Sequence, residues 1–373
     1  MKERLKKLEE QGCLRSLKCT QSEGKYIIYD GCKYLNFSSN DYLGLTDIAL
    51  QTQFFGDIDN QKEFLLSNPS SRLMTGNNIH YEELENSISS LFKRPACLVL
   101  SCGYMLNSGV LPALTSEKDL IIADKLVHAS IIDGLRLCKC RWKRYRHNNM
   151  ADLRRIIESE KVEGTIYIVT ESIFSMDGDI APLKELVALK EEFGAKLYVD
   201  EAHAFGVRGD NGCGIAEECG VVEKIDYIVA TLGKAMASQG AFIVCDTLSR
   251  NFLINKMRTL IFSTAMPSIS LMWSKFLIDK LPEFADRRGK LAENIAYLSE
   301  LGFPSDSHIV PVMVGDAQKV VQIVENLKKE GIWAMAVRHP TVPKGTERLR
   351  LSITSSFSSQ DLNFLAQNVK SKL

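Results

Sequence analysis

A lysine among small residues is the first place where this chain could do chemistry. In TLGKAMASQG, residues 231–240, Lys234 follows the strand-like run YIVATLG. Polar residues are scarce around it, which predicts a buried strand end rather than a solvated face. Lysine is seldom buried without a purpose. Desolvation lowers the amine pKa and frees the lone pair for attack on a carbonyl, as in a Schiff base. Upstream, KLYVDEAHAFGVRG is a second apolar strand, ending in Asp200 with His203 close behind. An aspartate at one strand end, a nearby histidine and a lysine at a later strand end form the set that pyridoxal phosphate (PLP) requires. The lysine takes the aldehyde, and the carboxylate pairs with the pyridinium nitrogen so that the ring can draw electrons. Each part alone is weak: Gly-Lys ends many strands, and Asp-x-x-His also occurs as a structural pair or half a metal site. Their order on successive strands is what makes them specific.

The elements that must position these residues are legible as alternating apolar runs and helical patterns. ACLVLSCGYMLNSGVLPAL is a strand running into Ser101-Cys102-Gly103-Tyr104, where a helix starts. Unpaired N–H groups and the helix dipole at such a junction bind phosphate, although a plain turn has the same sequence signature. DLIIADKLVHAS places His128 just past another strand, and GTIYIVTESIFSMDGD ends a strand at Glu171-Ser172 before a turn at Asp177-Gly178. Ligands of α/β sheets gather at the carboxyl ends of strands. Strands alternating with helices across residues 97–245 predict an α/β fold with a mainly parallel sheet. Leu84, Ile88, Leu91 and Phe92 predict one buried helix face. Before this region lie a helix, two short strands about Asp30-Gly31 and the loop NFSSNDYLGL. After it comes a small α+β region with a helix carrying Val320, Ile323, Val324 and Leu327. The expected division is 1–50, 51–270 and 271–373. In the last part Arg338 precedes a Pro-containing loop and suits a bidentate grip on a substrate carboxylate. Arg350 is explained by strand alternation and is expected to be structural.

Composition narrows the partners. The 373 residues carry 46 basic and 46 acidic side chains, for a formal net charge of zero, and 45% are hydrophobic. No global field favours nucleic acid or an anionic membrane. The basic run CKCRWKRYRH, 138–147, is expected to be a loop or edge strand. The ten cysteines show no paired CxxC spacing for a zinc site, so no metal is expected. The amino terminus MKERLKKLEEQG has no apolar signal region, and no apolar run is long enough to span a bilayer. A cytoplasmic enzyme with reduced thiols is expected.

The segments VDEAHAFGVRGDNGCG and TLGKAM also carry a family resemblance. They resemble the α-oxoamine synthases, PLP enzymes that condense an amino acid with an acyl thioester and release carbon dioxide. The resemblance runs from about residue 13 to the carboxyl terminus. It implies the fold type I, aminotransferase-like architecture, and a homodimer with active sites at the interface. It implies that Lys234 holds the cofactor and moves the substrate α-proton, with Asp200 on the pyridinium nitrogen and His203 on the ring hydroxyl. His128 stacks on the ring near the reacting atoms. Thr231 lies on the phosphate side, Gly103 and Tyr104 cradle the phosphate, and Ser172 in ESIFSMDGD contacts the cofactor. Thr264 in RTLIFSTAMP reaches the neighbouring subunit's phosphate. Asn40 in FSSNDYLGL lies near the amino acid, and Arg15 and Thr341 near the acyl substrate. Asn68-Pro69 departs from the family's glycine-rich approach, leaving that loop's path open.

RHPTVPKGTERLRLSIT, LIFSTAMP and ASQGAFIVC resemble the family's biotin-pathway members. This implies L-alanine and a pimeloyl thioester, on coenzyme A or acyl carrier protein, as substrates. ASIIDGLRLCKC instead resembles the ketobutyrate ligases, which use glycine and acetyl-CoA. Two further classes stay in view. Retention of Lys234, Asp200 and His203 argues against a non-catalytic relative, and the lack of a GxGxxG turn after the first strand argues against a nucleotide-binding oxidoreductase.

Overall fold

The computed structural model describes residues 1–10, 14–58 and 65–373. These fall into two compact units, described separately. The larger comprises residues 48–174 and 180–285; the smaller comprises 1–47, 175–179 and 286–373. The boundaries differ from the expected ones. The amino-terminal segment is no unit of its own, because the strand Cys32–Asn36 pairs in parallel with Ile332–Trp333. The helix Ser268–Asp279 stays with the larger unit, where Trp273 packs edge-on against Phe54 at 5.1 Å. Both contacts join residues far apart in sequence, which local patterning does not reveal.

The larger unit is built on a seven-stranded sheet. Its spatial order is Ala96–Leu100, Ala241–Cys245, Tyr227–Thr231, Lys196–Asp200, Ile166–Glu171, Leu120–Asp124 and Arg141–Tyr145. Ala241–Cys245 runs antiparallel to both its neighbours, and the remaining pairings are parallel. The central strands and the edge strand Ala96–Leu100 are buried along nearly their whole length, as a sheet covered on both faces requires. Arg141–Tyr145 is one of the two edge strands, exposed except at Tyr145. Its Arg141 and Lys143 pair with Glu160, so the basic run is a charged sheet edge of the kind that discourages further strand pairing.

Period-two alternation sends Leu98, Leu100, Ile121, Ala123, Val169, Tyr198, Val229 and Ile243 into one core. The helix Gly103–Leu114 adds Leu106, Val110 and Leu111, and the helix Ala129–Leu137 adds Ile131 and Leu135. These two helices meet at Gly134. A Cβ there would lie 2.5 Å from the Asn107 carbonyl oxygen and 3.2 Å from Ser108 Cα, so only glycine permits this approach. On the helix Ile79–Leu91 the buried face holds Tyr81, Leu84, Glu85 and Ile88. The unexpected Glu85 is neutralised by Arg72 at 2.6 Å and Arg250 at 2.8 Å. The Asn68-Pro69 path is also defined. Asn68 is buried and its Nδ2 donates to the Gly76 carbonyl at 2.7 Å, closing the π-helical turn Arg72–Gly76.

In the smaller unit the strands Tyr26–Tyr29 and Cys32–Asn36 form the expected hairpin. Asp30 and Gly31 both have positive φ, 50° and 74°, the geometry of a type I′ turn. A second sheet orders Ile309–Met313, Arg348–Ser352 and Met335–Val337, all antiparallel. The helices Ala317–Lys329 and Ser359–Lys370 belong to this unit, the latter started by a capping box between Ser358 and Asp361.

Candidate active site

Register places the chemistry at one edge of the large sheet. Leu100 and Thr231 both pair with Ala241, and Glu171 pairs with Asp200. Parallel and doubly antiparallel pairing therefore bring the carboxyl ends of these strands level, and the turns that leave them carry the candidate residues.

Lys234 lies in the turn after Tyr227–Thr231, half-buried rather than enclosed. Its Nζ is 2.8 Å from His203 Nε2. An ammonium has only donors, so Nε2 accepts and the His203 proton resides on Nδ1. His203 is buried. Asp200, also buried, accepts at Oδ1 from the Ala202 N–H at 2.9 Å and at Oδ2 from Asn107 Nδ2 at 2.8 Å. The three residues singled out first thus share one strand edge.

Asn107 continues the network. Its Oδ1 accepts from the Tyr198 hydroxyl at 2.5 Å, and Nδ2 also reaches Ser130 Oγ at 3.0 Å. Ser130 Oγ lies 2.7 Å from His128 Nδ1, which accepts from the Ser130 backbone N–H at 3.2 Å as well. His128 is the N-cap of Ala129–Leu137 and keeps an exposed face. Burial of its base pushes its pKa below the usual 6.5; Asp200 opposes this and Lys234 adds to it.

Glu171 was passed over in favour of its neighbour. It is buried, and burial first, then the Asp200 charge, pushes its carboxyl well above the usual range. It accepts from the His128 backbone N–H, while Oε1 is buried without a hydrogen-bond partner. Ser172, expected at the cofactor, is instead fully buried, with its hydroxyl donating to Glu201 at 2.5 Å. Glu201 in turn accepts from the N–H groups of Ile215 and Ala216. Glu171 is the last residue of its strand and Ser172 opens the turn that follows. Tyr198 could have been found by strand alternation, since it lies two residues before Asp200. Asn107 stood out only as an amide on an otherwise apolar helix face.

Gly103 opens its helix, and Cys102 at the N-cap supplies no side-chain acceptor to the first N–H groups. A Cβ on Gly103 would still be 3.7 Å from Thr231 Cβ, so the two positions face each other with room between. The Thr231 hydroxyl donates to the Gly240 carbonyl at 3.0 Å and accepts from the Gly233 N–H at 3.1 Å. Tyr104 is half exposed and hydrogen-bonded to Asp133, which also pairs with Arg136 at 2.9 Å. Thr264 is exposed and bridged through its backbone to Ser71. A half-buried lysine, a buried carboxylate, a histidine on the lysine and an uncapped helix start beside a threonine fit PLP in both charge and chemistry. Among the described residues, no group of three or more His, Cys, Asp or Glu could hold a metal ion.

In the smaller unit the structure joins two of the acyl-side residues. Arg15 donates to Thr341 Oγ1 at 3.0 Å across 326 positions of sequence. Arg338 is half-buried in the same turn, its carbonyl accepting from the Thr341 N–H at 2.9 Å. Asn40 is exposed, and its Oδ1 accepts from the buried Tyr42 hydroxyl at 2.9 Å. Arg350 also reaches Tyr42, and holds the Ser175 carbonyl at 2.6 Å and Ser352 Oγ at 2.8 Å. Arg350 therefore supports the Asn40 loop, whereas strand alternation alone had explained it.

Known proteins match this architecture over its length. Residues 32–369 fit the family model described as aminotransferase class I and II. The 8-amino-7-oxononanoate synthase of Haemophilus ducreyi is 45% identical over 97% of this chain and 98% of its own. The chain belongs to the α-oxoamine synthase family. The same likeness extends to solved structures. A Francisella tularensis 8-amino-7-oxononanoate synthase superposes with a TM-score of 0.75 at 26% identity, covering 91% of this chain and 98% of that one. A serine palmitoyltransferase from S. paucimobilis, solved with a bound compound of PLP and myriocin, gives 0.91 at 27% identity, covering 99% and 96%. The fold type I architecture expected from the motifs is the observed one.

Proposed function

We propose that this α-oxoamine synthase joins L-alanine to a pimeloyl thioester, releasing carbon dioxide and free thiol and yielding 8-amino-7-oxononanoate for biotin synthesis. The carrying observation is 45% identity over 97% of the chain to a protein of that activity. The acyl group arrives on coenzyme A or acyl carrier protein.

PLP, when bound, supplies the electron sink for carbanion chemistry at the amino-acid α-carbon. Lys234 would take its aldehyde, and Asp200 would pair with the ring nitrogen. His203 would hold the ring hydroxyl, and Thr231 with the Gly103 and Tyr104 N–H groups would hold the phosphate. With PLP bound, Lys234 Nζ would be the group that takes the α-proton of alanine and later returns a proton to the product carbon. His203 Nε2, 2.8 Å from Nζ in the structure, keeps that amine in place. His128 stays beside the reacting carbon as a hydrogen-bond donor. Arg338 and Asn40 take the alanine carboxylate, and Arg15 with Thr341 takes the acyl chain. Thr264 serves the phosphate of a second copy, so the active form is a homodimer. Among the described residues no helix is long and apolar enough to cross a membrane, and the reading places the enzyme in the cytoplasm.

The test is the visible absorbance of the purified protein with PLP, followed through addition of single amino acids and then pimeloyl thioester, with the product weighed by mass spectrometry. L-Alanine should perturb the cofactor band most, and the product mass should be that of 8-amino-7-oxononanoate. A response led by glycine with acetyl-CoA would move the enzyme to the ketobutyrate ligases. No cofactor band would overturn the reading.

A further inference from the structure

The hydrogen bonds around Asn107 have a direction, and that direction is informative. The Asn107 amide uses its whole capacity: Oδ1 accepts from Tyr198, and the two Nδ2 hydrogens go to Asp200 Oδ2 at 2.8 Å and Ser130 Oγ at 3.0 Å. The Asp200 contact fixes this orientation: a flipped amide could still bond to either hydroxyl, each of which can donate or accept, but it would turn its oxygen toward an acceptor-only carboxylate. Ser130 Oγ therefore accepts from Asn107, and its one proton is directed to the remaining neighbour, His128 Nδ1 at 2.7 Å. The Ser130 backbone N–H points at the same nitrogen from 3.2 Å. Two donors converge on Nδ1, which leaves no room for a proton there. Asn107 and Ser130 are almost completely buried, so water cannot substitute for any of these bonds.

We infer that Asn107 and Ser130 are positioning residues that hold His128 as the neutral Nε2–H tautomer and tie its orientation to Asp200. His128 then presents a fixed N–H donor on its exposed face and is no proton acceptor there, because Nε2 already carries its hydrogen. The charged and titratable groups facing the ring from neighbouring elements are Asp200, Glu171 and Lys234. Close packing at Gly134, which brings the Asn107 and Ser130 helices together, is what allows the relay to close. One side chain thus sets both the carboxylate assigned to the cofactor nitrogen and the histidine assigned to its face. The cofactor roles rest on the function proposed above; the tautomer does not.

The experiment is long-range proton–nitrogen correlation NMR of the full chain with nitrogen-labelled histidine, without and with PLP, the His128 signal being assigned from H128Q. The parent protein should show His128 as a single Nε2–H tautomer. S130A removes one hydroxyl and should produce a mixture of tautomers, and N107L, of similar volume, should do the same. With PLP present, S130A should lower kcat about 10- to 100-fold, the range typical of an outer partner that orients a ligating histidine, with KM for the thioester little changed. S130T, which keeps the hydroxyl, should recover the single tautomer. An Nδ1–H tautomer in the parent, or a tautomer unchanged in both S130A and N107L, would overturn the inference. A locked tautomer in a protein that binds no PLP would instead leave the relay standing and remove the proposed function.

Discussion

The carboxyl edge of the large sheet and the loops of the smaller unit hold their functional residues in opposite ways. Asp200, Asn107, Ser130 and Tyr198 are almost wholly buried, and Asn107 is bonded to the other three. Asn40, Arg15 and Thr341 are exposed, and the Arg15–Thr341 bond is made in water. Hydrogen bonds in a low-dielectric interior are strong and hold one geometry, whereas an exposed contact contributes little and can rearrange. The difference suits a division of labour in which regular sheet fixes the reaction chemistry and loops select the substrate. It also says where variants should act: edge residues on kcat and cofactor retention, loop residues on KM.

The strongest test of the edge is Lys234→Ala. It should abolish turnover and the cofactor absorbance band while leaving the melting temperature of the cofactor-free protein nearly unchanged, since Lys234 is only half-buried. Normal turnover would remove the lysine from the chemistry. Asp200→Asn comes next. The amide keeps the shape but loses the charge and faces the Asn107 Nδ2 donor with half its acceptor capacity. A fall in kcat of about 100- to 1,000-fold is expected, the scale for losing one preorganised electrostatic partner, with a smaller change in KM. If KM rose and kcat held, the edge would behave like a loop and the comparison would fail.

The contrast also explains what could be read from sequence. Strand ends beside chemically useful residues are visible as apolar runs that stop at Asp200, at Thr231 or before His128, so the large sheet and its lysine were legible. The π-helical turn at Arg72–Gly76 and the partners of Glu85 were not, because they depend on atoms far along the chain. The bond from the Ser172 hydroxyl to Glu201 was not legible either, because a motif shows neighbours in sequence and not the partners that folding brings. Asn107 was missed because an amide on an apolar helix face shows no partner until the Asp200 and Ser130 elements are in place. Arg350 illustrates the same limit. It is structural, as its strand alternation predicts, but its bond to Tyr42, which in turn holds Asn40, is not visible in the sequence.

Glu171→Gln sharpens the edge from the side of stability. The folded carboxyl titrates well above its usual value of 4.5, chiefly because it is buried. A folded pKa above the unfolded one means that the folded state binds the proton more tightly. The stabilising contribution is therefore full below about pH 4.5 and lost as pH rises through the folded value. Glutamine cannot ionise, so the variant should escape that loss. Its melting temperature relative to the parent should rise as pH increases above about 4.5 and level off once the folded carboxyl has ionised. A constant difference as pH rises would show that Glu171 keeps its charge, neutralised by a contact other than burial.

Arg15→Ala should have the smallest effect and is the most direct probe of the loop side. Its bond to Thr341 at 3.0 Å is exposed, so removal should shift folding stability by no more than about 0.5 kcal/mol. If the guanidinium meets the acyl substrate, KM for the thioester should rise about 2- to 10-fold, the loss expected for an ordinary hydrogen bond in an exposed setting, with kcat and KM for alanine unchanged. Thr341→Val should raise the same KM less. The double variant should fall short of the product of the two, because one bond joins them. Full multiplicativity would mean that Thr341 meets the substrate on its own account rather than by orienting Arg15. A loss of kcat in either variant would place these loop residues with the reaction chemistry and erase the distinction between the two regions.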